Sequence, residues 1–111
     1  MEMRQTVFHI SKAWPREEKF SLIDQARRSS RSIGANIAES WAKRNYPSHF
    51  ISKLTDAYGE LQETAHWLST ALDCQYMNSG EHDKLQSDIR EIGKMLGKMM
   101  SRPDKFCSTR S

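Results

Sequence analysis

The 111-residue chain has only two cysteines, three prolines and five glycines. Cys74 and Cys107 stand far apart with no CxxC spacing, so neither a zinc site nor a disulfide framework is implied. Unpaired thiols suit a reducing cytoplasm. No apolar run approaches membrane-spanning length, and Met1 to Gln5 lacks the apolar segment of a signal peptide. Nothing alternates with period two, which excludes strands. The excess of positive charge is small: a net +3 suits nucleic acid or an acidic partner without selecting either. With 37% hydrophobic and 28% charged residues, the composition fits one domain of helices that each bury a single stripe.

The few prolines act as punctuation. Pro15 ends a first segment whose apolar residues Met3, Val7, Ile10 and Trp14 recur every three to four positions. After the charged connector Arg16 to Lys19, Ser21 with Asp24 three residues on predicts a helix start. That second helix runs to Arg44, with Leu22, Ala26, Ser30, Ile33, Ile37 and Trp41 on one stripe. Pro47 suits the first turn of a third helix carrying Phe50, Ile51, Leu54, Tyr58, Leu61, Ala65, Leu68 and Leu72. Asn78-Ser79-Gly80 marks a turn. A fourth helix shows Leu85, Ile89, Ile92, Leu96 and Met99, and Pro103 ends it.

The expected fold is therefore an all-α, up-and-down antiparallel four-helix bundle over residues 1–102, followed by a polar, disordered tail over 103–111. A first helix of about 14 residues spans roughly 21 Å and a second of about 24 roughly 36 Å, so part of the core stripe lacks a cover from within the chain. An abbreviated first helix or a second subunit accounts for the gap.

Trp14-Pro15-Arg16-Glu17-Glu18, Asp24 to Ile33 and Ala35-Asn36-Ile37-Ala38-Glu39 resemble the four-helix-bundle proteins encoded in intervening sequences of bacterial 23S ribosomal RNA genes. Gly59, Leu61, Glu63 and Ala71-Leu72-Asp73 are similar to that family's third helix. The sequence departs from the pattern at Gly34, where proline is usual, at Ser40, where glycine is usual, and at its start, since the family's first helix usually begins well before Met1. The resemblance implies a homopentameric ring. It also points to a related accessory protein of diversity-generating retroelements, a nucleic-acid-binding pentamer.

Helical wheels place Arg27, Arg28 and Arg31 opposite Ile33 and Ile37, and Asp56, Glu60, Glu63 and Trp67 opposite Leu54 and Leu61. Three readings of the arginines stay open: they bind phosphates, they pair with the acidic stripe of a neighbouring subunit, or they form a solvated face with within-helix pairs such as Asp24–Arg28 and Glu39–Lys43. Aromatic and arginine enrichment where proteins meet favours an interface of Arg27, Arg28, Arg31, Asp56, Glu60, Glu63 and Trp67. Nucleic acid then falls to basic residues at helix ends, Lys43, Arg44 and Arg102, with Lys105 and Arg110 beyond. Ser30, Gly34 and Ala38 recur every four residues as small spacers, with Gly93 and Gly97 in the same role on the fourth helix. Asn36 is expected to bond a neighbouring helix or connector and fix register, while Glu39 closes the motif.

Catalysis finds no foothold. Glu63-x-x-His66 has the helical spacing of a di-iron ligand pair but lacks a second copy. The serines at 29, 30 and 32 have no activating base, and no cofactor, metal, membrane or small-molecule substrate is indicated. The sequence supports a non-enzymatic oligomeric binding or scaffold module that takes structured RNA or DNA. The alternative is a purely structural oligomer that docks a protein partner.

Overall fold

The computed structural model describes residues 2–107, and no strand occurs among them. Helix α1 spans Glu2–Ser11. A 3-10 turn at Arg16–Glu18 and a π-helical turn at Lys19–Ile23 lead into α2, Asp24–Ala42. Helices α3, Pro47–Asp73, and α4, Ser79–Ser101, follow, and a short α5, Pro103–Phe106, closes the chain. The whole measures 55 × 24 × 17 Å.

Cross-helix contacts fix the direction of each helix. Arg27 of α2 bonds Ser11 of α1, while Arg31, one turn on, shares a hollow with Arg4, earlier in α1. Ser29 meets Thr64 and Glu39 meets Lys53 between α2 and α3. Ser69 meets His82 and Thr55 meets Met100 between α3 and α4. Rising numbers on one helix always meet falling numbers on the next, so the packing is antiparallel throughout. Pairing is most extensive between α2 and α3, whereas the 10-residue α1 covers only the first half of the 19-residue α2.

The core follows from the spacing on α3. Phe50, Leu54, Ala57, Leu61, Thr64, Leu68 and Ala71 are all buried and alternate steps of four and three. That 3.5-residue period keeps one seam toward α2 along the entire helix. Tyr58, expected in the core, is instead 41% exposed on the flank, because Ala57 and not its neighbour holds the seam position. Ala65 and Leu72 likewise stand half-buried at its edge. On α2 the stripe is Ala26, Ser29, Ser30, Ile33 and Ser40; Trp41 is 45% exposed, displaced outward by the small Ser40.

One polar pair crosses this seam. Thr64 Oγ1 lies 2.9 Å from Ser29 Oγ, whose own hydroxyl faces the Ala26 carbonyl at 3.3 Å. Both residues are buried, and Thr64 Oγ1 also lies 2.9 Å from the Glu60 carbonyl of its own helix, so each hydroxyl has a backbone partner besides the other.

Several sequence expectations are corrected here. α1 stops at Ser11, and Trp14 enters the core from a turn. The start predicted at Ser21 and Asp24 is absent, because the chain arrives at α2 already helical and Ser21 Oγ bonds Glu18 Oε1 at 2.6 Å. The capping box belongs to α4, where Asn78 and Glu81 exchange bonds of 2.8 and 3.2 Å. Of the small spacers, Ser30 is buried but Ala38 is exposed. A methyl on Gly93 would touch Leu61 at 3.6 Å, whereas Gly97 has open space. The tail expected to be disordered from residue 103 begins instead with α5: Phe106 stacks on Phe50 at 6.4 Å, and Cys107 packs against the core. Part of the cover that α1 fails to provide thus comes from the chain's own C-terminal turn. Arg110 lies outside the described residues.

Candidate functional site: a basic seam beside an acidic hollow

Arg4 and Phe8 of α1 and Lys12 in the turn just after it stand four apart, beside Arg27 and Arg31 of α2. Arg27 clasps the two helices. Its Nε donates to Ser11 Oγ at 2.8 Å, Nη2 reaches the Phe8 carbonyl at 3.5 Å, and the guanidinium lies 4.4 Å from the Phe8 ring centre. Lys12 Nζ also sits over that ring, at 4.8 Å. Two hollows flank the clasp. One, of about 530 Å³, is lined by Arg4, Gln5, Phe8, His9 and Arg31. The other, of about 410 Å³, is walled by Lys12, Trp14, Arg16, Lys19 and Arg27 together with Ser11 and Ile23. Six cations border the two hollows, and among the described residues no carboxylate does. Among the described residues neither Arg4 nor Arg31 has an ion-pair partner.

On the opposite flank of α2, Asn36 borders a hollow of about 460 Å³ with Asp56, Glu60 and Glu63 of α3. The Glu60 carboxyl is held above its ordinary range, first by burial and then by the charge of Glu63, against the opposing pull of the Ser32 hydroxyl and Arg28. Lys53 supplies the nearest cation, 3.0 Å from Glu39 and 3.9 Å from Asp56, and its own pKa is raised by the bond to Glu39 and that group's charge.

The predicted interface residues therefore separate. Asp56, Glu60 and Glu63 do converge. Arg27 is committed to α1 and is not a free outer-face cation. Arg28 pairs with Asp24 at 3.4 Å in an exposed contact that contributes little. Trp67 departs from the acids: half-buried, it packs against the core and borders a hollow with Glu18, Phe20 and Leu22. The connector before α2 covers a face that the isolated wheel assigned to water. Asn36 bonds no neighbouring helix; its Nδ2 donates to the Ser32 carbonyl of its own helix at 2.9 Å. Glu39 pairs with Lys53 in preference to Lys43, since an antiparallel neighbour brings the ammonium closer.

Lys43, Arg44 and Arg102 gather at one end of the bundle, where α2 and α4 terminate. Arg44 folds back over Trp41 at 3.9 Å, and Arg102 grips Asp104 through bonds of 3.2 and 3.1 Å, which lowers the Asp104 pKa. Lys43 makes no such contact among the described residues. Sequence reasoning missed Arg4, Lys12, Arg16 and Lys19, which come from segments that meet only when α1 folds back; the four-residue spacing of Arg4, Phe8 and Lys12 was the available signal.

Glu63 and His66 are both exposed, and among the described residues no three His, Cys, Asp or Glu side chains converge as a metal site would need. Among the described residues no helix is long and apolar enough to cross a membrane.

Comparison with known proteins bears on this arrangement. The family model described as 23S rRNA-intervening sequence protein matches residues 1–98. A crystal structure of a protein of unknown function from the S23 ribosomal protein family of Bacteroides thetaiotaomicron VPI-5482 superposes with a TM-score of 0.78 at 27% identity, covering 89% of this chain and 92% of that one. No functionally curated protein matches the sequence.

Proposed function

From the premise that the chain belongs to the 23S rRNA-intervening sequence protein family, we propose that it is a non-catalytic helical module that binds the phosphate backbone of nucleic acid through the α1–α2 seam, as a self-assembled ring. The observation carrying this reading is the set of six cations with no bordering carboxylate among the described residues. Phosphate contacts of this kind position a strand without reading its sequence. A single protomer at net +3 holds a strand feebly. Linked copies, such as the pentamer that the family resemblance implies, multiply the effective affinity without new contacts. Lys43, Arg44 and Arg102 serve as outer contacts, weakened by the commitments of Arg44 and Arg102 within the chain.

Fluorescence anisotropy with a structured RNA across a salt series tests the proposal. Binding should fall steeply from about 50 to 200 mM salt, with a slope of roughly 0.7–0.9 per phosphate contacted. Arg4→Glu with Arg31→Glu should weaken it more than reversal of Lys43, Arg44 and Arg102 together. Binding indifferent to salt, or to the first pair, would sink the seam as the site.

A second reading, the structural oligomer that docks a protein, draws on the crowded carboxylates of Asp56, Glu60 and Glu63, which suit a cationic face of a neighbouring copy in a head-to-tail contact. Replacing all three by glutamine should then lower the mass seen by light scattering. An unchanged mass removes the acidic hollow from the assembly, and Trp67→Ala tests the adjoining face in the same way.

A further inference from the structure

We propose that the smaller hollow of the seam, walled by Lys12, Trp14, Arg16, Lys19 and Arg27, is a seat for a phosphate monoester, the group carried at the 5′ end of a nucleic-acid strand or by a free nucleotide. The proposal rests on the reading of the seam as a phosphate surface and assigns one part of it a narrower task. The two hollows differ in charge density. Arg4 and Arg31 border one, with His9 beside them. Four cations border the other, in about 410 Å³. A phosphodiester brings a single negative charge, whereas a monoester brings between one and two near neutrality. The denser cluster matches the more highly charged group.

Three further features favour a built seat over a loose patch. Arg27 is already oriented by Ser11 and Phe8, and those bonds leave further N–H donors of its fork unused. The carboxylates of the turn that carries Arg16 border neither hollow: Glu18 is bound to Ser21 at 2.6 Å and Tyr76 at 2.9 Å, and Glu17 is exposed. Finally, Trp14 forms part of the wall at 4% exposure, and its buried indole N–H has no acceptor among the described residues. That nitrogen is closed to solvent, so a phosphate oxygen supplies the acceptor when the indole turns toward the hollow. The volume also falls within the range of small-ligand sites.

Two RNA oligonucleotides of identical sequence, one with a 5′-phosphate and one with a 5′-hydroxyl, test the seat. The phosphorylated strand should bind roughly tenfold more tightly, the worth of one added charge-assisted hydrogen bond. Arg16→Gln with Lys19→Gln, both on exposed connector positions, should erase that preference, so that the phosphorylated strand loses about tenfold more affinity than the hydroxyl strand. Trp14→Phe, with folding verified by circular dichroism, should reduce it. Adenosine monophosphate should displace the phosphorylated strand and adenosine should not; displacement by the free nucleotide at the strand's own affinity identifies the nucleotide as the ligand. Equal affinities for the two strands overturn the seat while leaving the seam intact. If neither strand binds, calorimetry with adenosine monophosphate alone decides: heat lost in the Arg16/Lys19 variant keeps the seat without the seam, and no heat overturns both.

Discussion

The two flanks of α2 face opposite electrostatic worlds. Arg27 and Arg31 look onto α1 and the turn after it, which add Arg4 and Lys12, whereas Ser32 and Asn36 look onto α3, which adds Asp56, Glu60 and Glu63. A net charge of +3 averages the two away. The sign of each face is decided by the companion helix as much as by α2 itself, so neither field follows from one helix alone. The flanks also differ in how their charges are held. On the basic side one arginine is locked by neutral groups, while on the acidic side carboxylates crowd one another and Glu60 resists ionisation.

The clasp is the place to break this contrast. Arg27→Met keeps the aliphatic stem but removes the bonds to Ser11 and Phe8, leaving buried Ser11 without its charged donor. Denaturant unfolding should show a loss of about 1.5–3 kcal/mol, together with weaker RNA binding as α1 loosens. Unchanged stability would mean that α1 is held by Met3, Val7 and Trp14 alone.

A smaller effect is expected between the flanks, at the buried hydroxyl pair. Thr64→Val should cost about 0.5–1.5 kcal/mol, because Ser29 loses a donor yet keeps the Ala26 carbonyl. Adding Ser29→Ala should recover part of that loss, and a strictly additive double variant would refute the coupling.

The smallest change sharpens the acidic side. Burial holds the folded pKa of Glu60 above the ordinary carboxylate value, so its contribution to stability is present below that ordinary value and is lost as pH rises through the raised folded one. Glu60→Gln should therefore stabilise the protein at neutral pH, by no more than about 0.5 kcal/mol, and the gain should vanish below about pH 4. A gain that persists in acid would point to packing.

Much of this was legible in the residues. The stops at Pro47 and Pro103 and the apolar spacing located the long helices, and the acidic trio was found on its own wheel. What escaped depended on partners. The seam position on α3 fell on Ala57 and Thr64, a small and a polar residue whose neighbours Tyr58 and Ala65 keep the same approximate helical spacing. Trp67 was misplaced because a wheel knows nothing of the connector that folds over it. The order of α5 rests on Phe106 finding Phe50, more than fifty positions away. The basic seam needs α1 reversed against α2, and a linear reading treats those segments separately.

The π-helical turn at Lys19–Ile23 gives the chain a reserve of length. Such a turn holds one residue more than an α turn, and here it pushes Phe20 out to 88% exposure while Leu22 and Ile23 stay buried. Losing one residue at Phe20 would tighten the turn to ordinary α geometry and leave the phase of α2 intact. The same loss inside α2 would rotate Ile33 or Ser40 by about 100° away from the seam. Circular dichroism melts of two single-residue deletions, one at Phe20 and one at Ala35, would separate a spare residue from an indispensable one; equal damage would show that the turn has no slack to give.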